Sequence, residues 1–266
     1  MNIAIVTGAS SGMGREFVLQ LGQHVRVDEI WVIARRLDNL EALRAQVSVP
    51  LRPLALDLCD SASFDTIAAL LASEKPDIRL LVNAAGFGRF GAYHKVSPDI
   101  DARMIDLNCK ALVLMTRLCL PYMGSGSHIL QLDRLSAFQP VPYMITYGAT
   151  KAFVLSYSRG LNRELRPRGI RCMAMNPGWV KTEFFNHAFR TNDDSEVQYF
   201  NHLSEARDVV ATGLRDLYHS GKDFSVHGLP FQIQTLLVKL VPHRFVMDIW
   251  QAQQKKAKNN KGLTTQ

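Results

Sequence analysis

Tyr147 and Lys151 are four residues apart at the start of a helical pattern, so both project from one face, a turn apart. A lysine ammonium beside a phenol stabilises the phenolate, which suits the tyrosine to give a proton to a ketone or take one from an alcohol. Alone, Tyr-x-x-x-Lys is a weak pattern and more often a surface pair. A second group of residues stands at the chain's start, in MNIAIVTGASSGMG. Asn2–Val6 has the composition of a buried parallel strand, and it leads through Gly8, Gly12 and Gly14 into a helical pattern from Arg15. Backbone N–H groups of such a loop and the positive end of the helix dipole both point at an anion. The spacing is G-x-x-x-G-x-G rather than G-x-G-x-x-G, and a simple tight turn is the competing reading.

The elements that must position these residues alternate along the chain. Strand-like runs are Asn2–Val6, Glu29–Ile33, Leu51–Leu56, Leu80–Asn83, His128–Leu132 and Ile170–Met175, with helical stretches between them, including Asp101–Leu120 and Tyr147–Leu165. This βαβα order predicts an α/β fold, a Rossmann-type doubly wound parallel sheet with helices on both faces. Ligands of such sheets gather outside the carboxyl ends of the strands. Small and polar residues cluster there: Gly8–Gly14, Arg35–Arg36, Asp57, Asn83–Gly86 and Asn176–Thr182.

The second strand ends in Ala34, Arg35 and Arg36, where an acid would hydrogen-bond the adenosine ribose and repel a 2′-phosphate. Two guanidinium forks suit a phosphate instead, so NADP(H) is favoured over NAD(H); the alternative is a pair of solvated arginines at a helix start. Asp57 either accepts from an adenine amino group or caps the helix that follows it.

Composition bounds the class. With 266 residues, 47% hydrophobic and 21% charged, the chain is long enough for one α/β core in a single domain. Cys59, Cys109, Cys119 and Cys172 form no C-x-x-C pair and have no metal-ligand spacing, so reduced thiols, a cytoplasmic location and no metal are expected. No basic n-region precedes the first strand and no apolar run is as long as a membrane span. The net charge of +7 includes Lys255, Lys256, Lys258 and Lys261 of a basic tail. The remaining excess fits cofactor phosphates, and no nucleic-acid motif is present.

Taken together the motifs resemble those of the short-chain dehydrogenase/reductase family over most of the chain. They are Thr7-Gly8-Ala9-Ser10-Ser11-Gly12-Met13-Gly14, Asn83-Ala84-Ala85-Gly86, Asn108, Tyr147-Gly148-Ala149-Thr150-Lys151, and Asn176-Pro177-Gly178 with Val180 and Thr182. The resemblance implies a nicotinamide cofactor held by these segments together with Arg35, Arg36, Asp57 and Leu58. It implies Tyr147 as proton donor or acceptor, Lys151 on the nicotinamide ribose, Asn108 positioning a water, and Pro177–Thr182 gripping the carboxamide.

One position departs from the pattern. The family carries a serine thirteen residues before the tyrosine, and here that place holds Arg134, in Leu132-Asp133-Arg134-Leu135-Ser136. Three readings stand side by side. Ser136 swings in, with a local backbone change; Arg134 itself donates to the substrate oxygen or to an acidic group; or turnover is impaired, since losing one preorganised donor costs roughly 10²–10³ in rate. The chain is therefore read as an NADP(H)-dependent oxidoreductase acting on a secondary alcohol or ketone, weakened by Arg134. The alternative is an NADP(H)-binding protein whose turnover is lost.

Residues 1–228 form the expected domain, with a substrate lid over about 183–205, a helix at Leu214–Tyr218 and a last strand at Asp223–Val226. Residues 229–266 form an amphipathic helical extension and the basic tail. Ile233, Leu236, Leu237, Leu240 and Val241 share one helical face, Pro242 breaks the run, and Phe245, Val246, Ile249 and Trp250 resume it. This face packs on the core or an oligomer partner, covers an apolar pocket, or lies weakly on a membrane through 229–250 beside Lys239, His243 and Arg244. The last two readings point to a small apolar, steroid- or lipid-like substrate, with Phe87, Phe90 and Tyr93 as pocket walls. By family analogy the helices at Asp101–Leu120 and Tyr147–Leu165 would build a homodimer or homotetramer.

Overall fold

The apolar runs become strands because most are buried on both faces, the edge strand at Leu51–Ala55 excepted. In the first, β1 (Asn2–Thr7), Ile3 and Ile5 enter one core cluster while Ala4 and Val6 enter another. The strands β2 (Glu29–Ala34), β3 (Leu51–Ala55), β4 (Asp77–Asn83), β5 (His128–Leu132) and β6 (Arg171–Met175) follow, all parallel. Period-two alternation on a doubly covered sheet gives near-continuous hydrophobic sequence. In this computed structural model every residue is described except 185–187, 189–195, 201–202 and 264–266, and over 259–263 the backbone alone. β7 (Trp179–Lys181) and β8 (Leu203–Glu205) form a small separate parallel pair, and β9 (Phe224–Ser225) joins the main sheet beside β6. The seven-stranded order is β3-β2-β1-β4-β5-β6-β9, so direction of winding reverses between β1 and β4. That switch point is where a crevice opens at the strand ends.

Helices cover both faces. On one, α1 (Gly12–Gln20) packs through Phe17 and Val18, alongside the short α2 (Leu37–Glu41). On the other lies α3 (Ser61–Glu74), with Phe64, Ile67 and Leu71 inward and its first turn capped by the Asp60 carboxylate, which accepts from the Ala62 N–H at 3.0 Å. The segment expected to be helical over Asp101–Leu120 is so without a break over 98–119, as α4 (Pro98–Ile105) and α5 (Leu112–Cys119) with a π turn at Asp106–Ala111 between them. Then come α6 (Ile145–Leu165), carrying Tyr147 and Lys151, and α7 (Ala206–His219), whose Val209, Val210, Leu214 and Leu217 close the first cluster.

The C-terminal extension is α8 (Leu229–Leu240) and α9 (His243–Leu263), broken at Pro242 as expected. The face that packs inward is not the one the periodicity singled out. Phe231, Thr235 and Val238 are buried, Phe231 with its ring over Gly178, whereas Ile233, Leu236, Leu237, Leu240 and Val241 are exposed. α9 reaches the third core cluster through Trp250, whose Nε1 donates to the Pro142 carbonyl at 3.0 Å. Gln254 accepts from the Gln198 and Tyr199 N–H groups at 2.7 and 2.8 Å. Of the lid expected over 183–205, residues 185–187, 189–195 and 201–202 lie outside the described residues. Phe184, Ala188, Val197 and Phe200 join that same cluster. No helix among the described residues is long and apolar enough to cross a membrane.

Candidate active site

A cavity of about 670 Å³ lies outside the carboxyl ends of β1, β2, β3, β4 and β5 and runs from the glycine loop to α6. At the loop end Gly8 adopts φ +69° and donates to the Ile33 carbonyl at 2.8 Å. A Cβ there would lie 2.7 Å from the Ala85 nitrogen, and one on Gly14 would run into the Gly8 carbonyl. Both glycines are therefore demanded by the close approach of loop, helix and β4. Gly12, at φ +53°, faces Thr182 across the cavity, 3.3 Å from the place of its own Cβ to the threonine Cβ. Thr7 Oγ1 accepts from the Ala84 and Ala85 N–H groups, both at 3.1 Å, which ties the β4 turn to β1. Ser10, Ser11, Met13, Ala84, Ala85 and Gly86 complete this wall.

Arg35 and Arg36 are exposed at the end of β2 and line the cavity. Arg36 Nη2 lies 3.0 Å from Glu183 and 3.5 Å from Ser10 Oγ, so this guanidinium spans the cavity mouth. Asp57 lines the wall with a carboxylate that accepts from the Cys59 N–H at 3.0 Å and sits 3.8 Å from Arg103. It does not cap α3; Asp60 does. Leu58 borders the cavity while its side chain is buried in the second core cluster.

Two expected cofactor residues are set back from the cavity. Asn83 is buried and donates to Thr116 Oγ1 and Gln131 Oε1, at 3.1 and 3.0 Å, bracing β4 against α5 and β5. Gly178 makes room for Phe231 instead.

At the other end Tyr147 and Lys151 both line the cavity. Lys151 Nζ donates to the Leu132 carbonyl at 2.8 Å and stands 5.7 Å from the Tyr147 ring centre. Asn108 lies in the π turn, a feature found mostly at functional sites. Its side chain is tied to its neighbours: Oδ1 accepts from the Phe87 N–H at 3.0 Å, and Nδ2 donates to the Phe87 carbonyl and Thr150 Oγ1 at 2.9 and 3.1 Å. These bonds fix the Phe87 backbone. Phe90 stacks edge-on to Tyr147 at 5.5 Å and Phe87 lines the wall, but Tyr93 is 79% exposed and takes no part in it.

Arg134 lines the cavity beside them. Its guanidinium carbon is 4.1 Å from the Trp179 ring centre, 5.7 Å from Phe184 and 5.9 Å from Tyr147, an aromatic box around a buried cation. Burial pushes this guanidinium down, and the adjacent Tyr147 phenol raises it in part. Ser136 is not among the residues that line the cavity. It lies in a 3₁₀ turn at Leu135–Phe138, buried, away from the cavity wall, its hydroxyl without a hydrogen-bond partner among the described residues. Asp133, which the sequence reading passed over, is buried with its carboxyl bonded to Asn176 Nδ2. Burial pushes it up to about 8, against the opposing pull of Lys151 and Asn176. Trp179, Phe184 and Arg89 also went unnoticed; Arg89 lines the cavity with Nε and Nη1 buried and unpartnered among the described residues. Their one sequence signal is proximity to the motifs, Trp179 directly after Asn176-Pro177-Gly178 and Arg89 three residues after Gly86. Among the described residues no group of three or more His, Cys, Asp or Glu could hold a metal ion.

Comparison with known proteins gives consistent matches. A family model described as short chain dehydrogenase matches residues 2–193. The NADP-dependent 3-hydroxy acid dehydrogenase YdfG of Escherichia coli (strain K12) is 34% identical over 208 residues, covering 75% of this chain and 82% of that protein. Among solved structures, the closed form of a serine dehydrogenase complexed with NADP+ superposes with TM-score 0.68 at 32% identity, over 79% of this chain and 86% of the other. A short-chain dehydrogenase from Sphingobium yanoikuyae in complex with NADPH shares the fold, with TM-score 0.75 at 24% identity, over 91% of this chain and 97% of the other. The glycine loop and the Tyr147–Lys151 pair thus meet in one cavity of a fold these relatives share, and the chain belongs to the short-chain dehydrogenase/reductase family.

Proposed function

We propose that the protein is an NADP(H)-dependent oxidoreductase that interconverts a secondary alcohol and a ketone on a substrate with an apolar body. The observation that carries this is the placement of Tyr147 and Lys151 in the same cavity as the glycine loop and Arg36. The loop fits a diphosphate, because Gly12 leaves open the space that a Cβ would fill against Thr182, and the first turn of α1 adds its N–H groups. Arg35 and Arg36 would hold a 2′-phosphate, and Asp57 the adenine. Lys151, Pro177, Val180 and Thr182 would hold the nicotinamide end. NADP dependence in the Escherichia coli relative and NADP+ in the serine dehydrogenase complex support the same cofactor.

When bound, the nicotinamide supplies the hydride for a carbonyl carbon, or takes it from a carbinol carbon. The Tyr147 hydroxyl gives the proton that turns the carbonyl oxygen into an alcohol, and takes it back in the reverse direction. Lys151, anchored on the Leu132 carbonyl, supplies the nearby positive charge that stabilises the tyrosine anion. Phe87, Phe90 and Phe184 keep water from the reacting atoms and give the substrate an apolar wall, steroid- or lipid-like in what it would accept.

A second reading, a cofactor-binding protein without turnover, is favoured by one observation: Arg134 stands where the family carries its serine. NADPH consumption across steroid and aliphatic ketones separates the two, using wild type and Tyr147→Phe. The first reading expects turnover with NADPH over NADH, reduced about 10²–10⁴-fold in the variant. Tight NADPH binding with no oxidation by wild type or Arg134→Ser establishes the second.

A further inference from the structure

Building on that oxidoreductase reading, we propose that Arg134 is a carboxylate anchor and that the substrate is a 2-oxo acid, or its 2-hydroxy acid, with an apolar side chain. Arg134 is 7% exposed, makes no ion pair among the described residues, and has Nη2 buried without a hydrogen-bond partner. A guanidinium taken out of water and left unpaired is destabilising by far more than stacking on an aromatic ring returns. The aromatic box therefore does not account for the charge by itself. What it does is clamp the guanidinium plane, with Trp179 on a face at 4.1 Å and the Tyr147 hydroxyl as a hydrogen-bond partner at its edge, leaving Nη2 as the unsatisfied part. A planar fork presented edge-on is the donor set that a carboxylate takes up in two parallel hydrogen bonds.

Among the described residues, the acids of the cavity do not fill that role. Asp133 turns to Asn176 and is held toward its protonated form by burial. Glu183 is paired with Arg36, and Asp57 lies beside Arg103. Arg89, half-buried, adds a second guanidinium to the cavity, with Nε and Nη1 unpartnered among the described residues, and Lys151 adds an ammonium. Among the described residues the reaction end is thus cationic and short of an anion.

Position sets where the acid group lies on the substrate. Arg134 is 5.9 Å from the Tyr147 ring, whose hydroxyl must reach the carbonyl oxygen, so the anchored group belongs on the adjacent carbon. The rest of such a molecule meets Phe87 and Phe184, the apolar rings that line the cavity beside Tyr147. Reduction converts the 2-oxo acid to the 2-hydroxy acid, with hydride to the carbonyl carbon, the proton to its oxygen, and the carboxylate unchanged.

The test uses phenylpyruvate and 1-phenyl-2-propanone, which differ by a carboxylate against a methyl. With NADPH, wild type is expected to show kcat/KM at least 100-fold higher for phenylpyruvate. Arg134→Ser is expected to lower that value 10²–10³-fold while raising the neutral ketone's at least tenfold, through the restored hydroxyl. Arg134→Lys, which keeps the charge and loses the fork, retains part of the preference. Equal kcat/KM for the pair in wild type, or an equal fall for both in Arg134→Ser, overturns the proposal. If neither protein turns over either compound, the oxidoreductase reading fails by itself, and the anchor is then read from fluorescence of bound NADPH. Tighter phenylpyruvate binding in wild type, lost in Arg134→Ser at unchanged NADPH affinity, upholds it. Equal binding of the two compounds overturns it, and so does a loss of NADPH affinity in Arg134→Ser, because the anion held would then be the cofactor's.

Discussion

The cavity carries an arginine at each end, under opposite conditions. The Arg36 side chain is 48% exposed and paired with Glu183, itself 50% exposed. An exposed pair of this kind contributes ~0.2–1 kcal/mol and is readily exchanged for another anion. Arg134 is buried, boxed by Trp179, Phe184 and Tyr147, and unpaired among the described residues. The difference teaches that the nucleotide end is a clamp of backbone and solvated charge, suited to any cofactor bearing the right phosphate. The reaction end is committed to one kind of occupant, because a buried cation is costly to hold without it.

Three substitutions can break or sharpen that contrast, in falling order of effect. Gly14→Ala strikes the clamp's backbone, where the new methyl meets the Gly8 carbonyl. A fall of about 3–5 kcal/mol in stability is expected, with loss of NADPH binding, by thermal unfolding and fluorescence titration. If Gly14→Ala binds NADPH as wild type does, the backbone cradle is not what holds the diphosphate. Arg36→Ala strikes the clamp's charge. It should weaken NADPH by about tenfold, one charge-assisted bond's worth, and leave NADH unchanged, which direct titration of both cofactors checks. Equal weakening of both would mean that Arg36 does not read the 2′-phosphate.

Asp133→Asn probes the reaction end. Asp133 titrates at about 8 in the folded chain, against 3.8 for an unperturbed aspartate. Between those values the folded state keeps a proton that the unfolded chain has released, so wild-type stability falls as pH rises through this window. The variant lacks this titration. Its Tm should exceed that of wild type at pH 8, and the difference should shrink steadily and vanish near pH 4. A Tm difference independent of pH would show that Asp133 is ionised in the fold.

How legible each end was in the sequence follows from the same contrast. The nucleotide end is built from contiguous residues after each strand, and those strands, apart from the edge strand β3, are doubly buried apolar runs, so pattern and motif located both. His128–Leu132 was read to the residue, and the other strands of the main sheet to within a few residues. The surroundings of Arg134 were hidden, because Trp179 and Phe184 come from the chain beyond β6 and no local period links them to residue 134. Motif membership also overstated contact: Asn83 braces strands and Gly178 seats Phe231. In α8 the helical period found an apolar face but not its direction, because a period of 3.6 carries no sign. The inward residues, Phe231 and Val238, lie between the more numerous leucines that face out.

The claim that the two ends have separable tasks is tested most directly by single-turnover NADPH oxidation in Tyr147→Phe, with NADPH affinity measured on the same protein. The account predicts a rate 10²–10⁴-fold below wild type at an affinity within about threefold, since only the phenol oxygen is removed. A variant that turns over as fast as wild type, or that loses cofactor affinity in step with its rate, would contradict it.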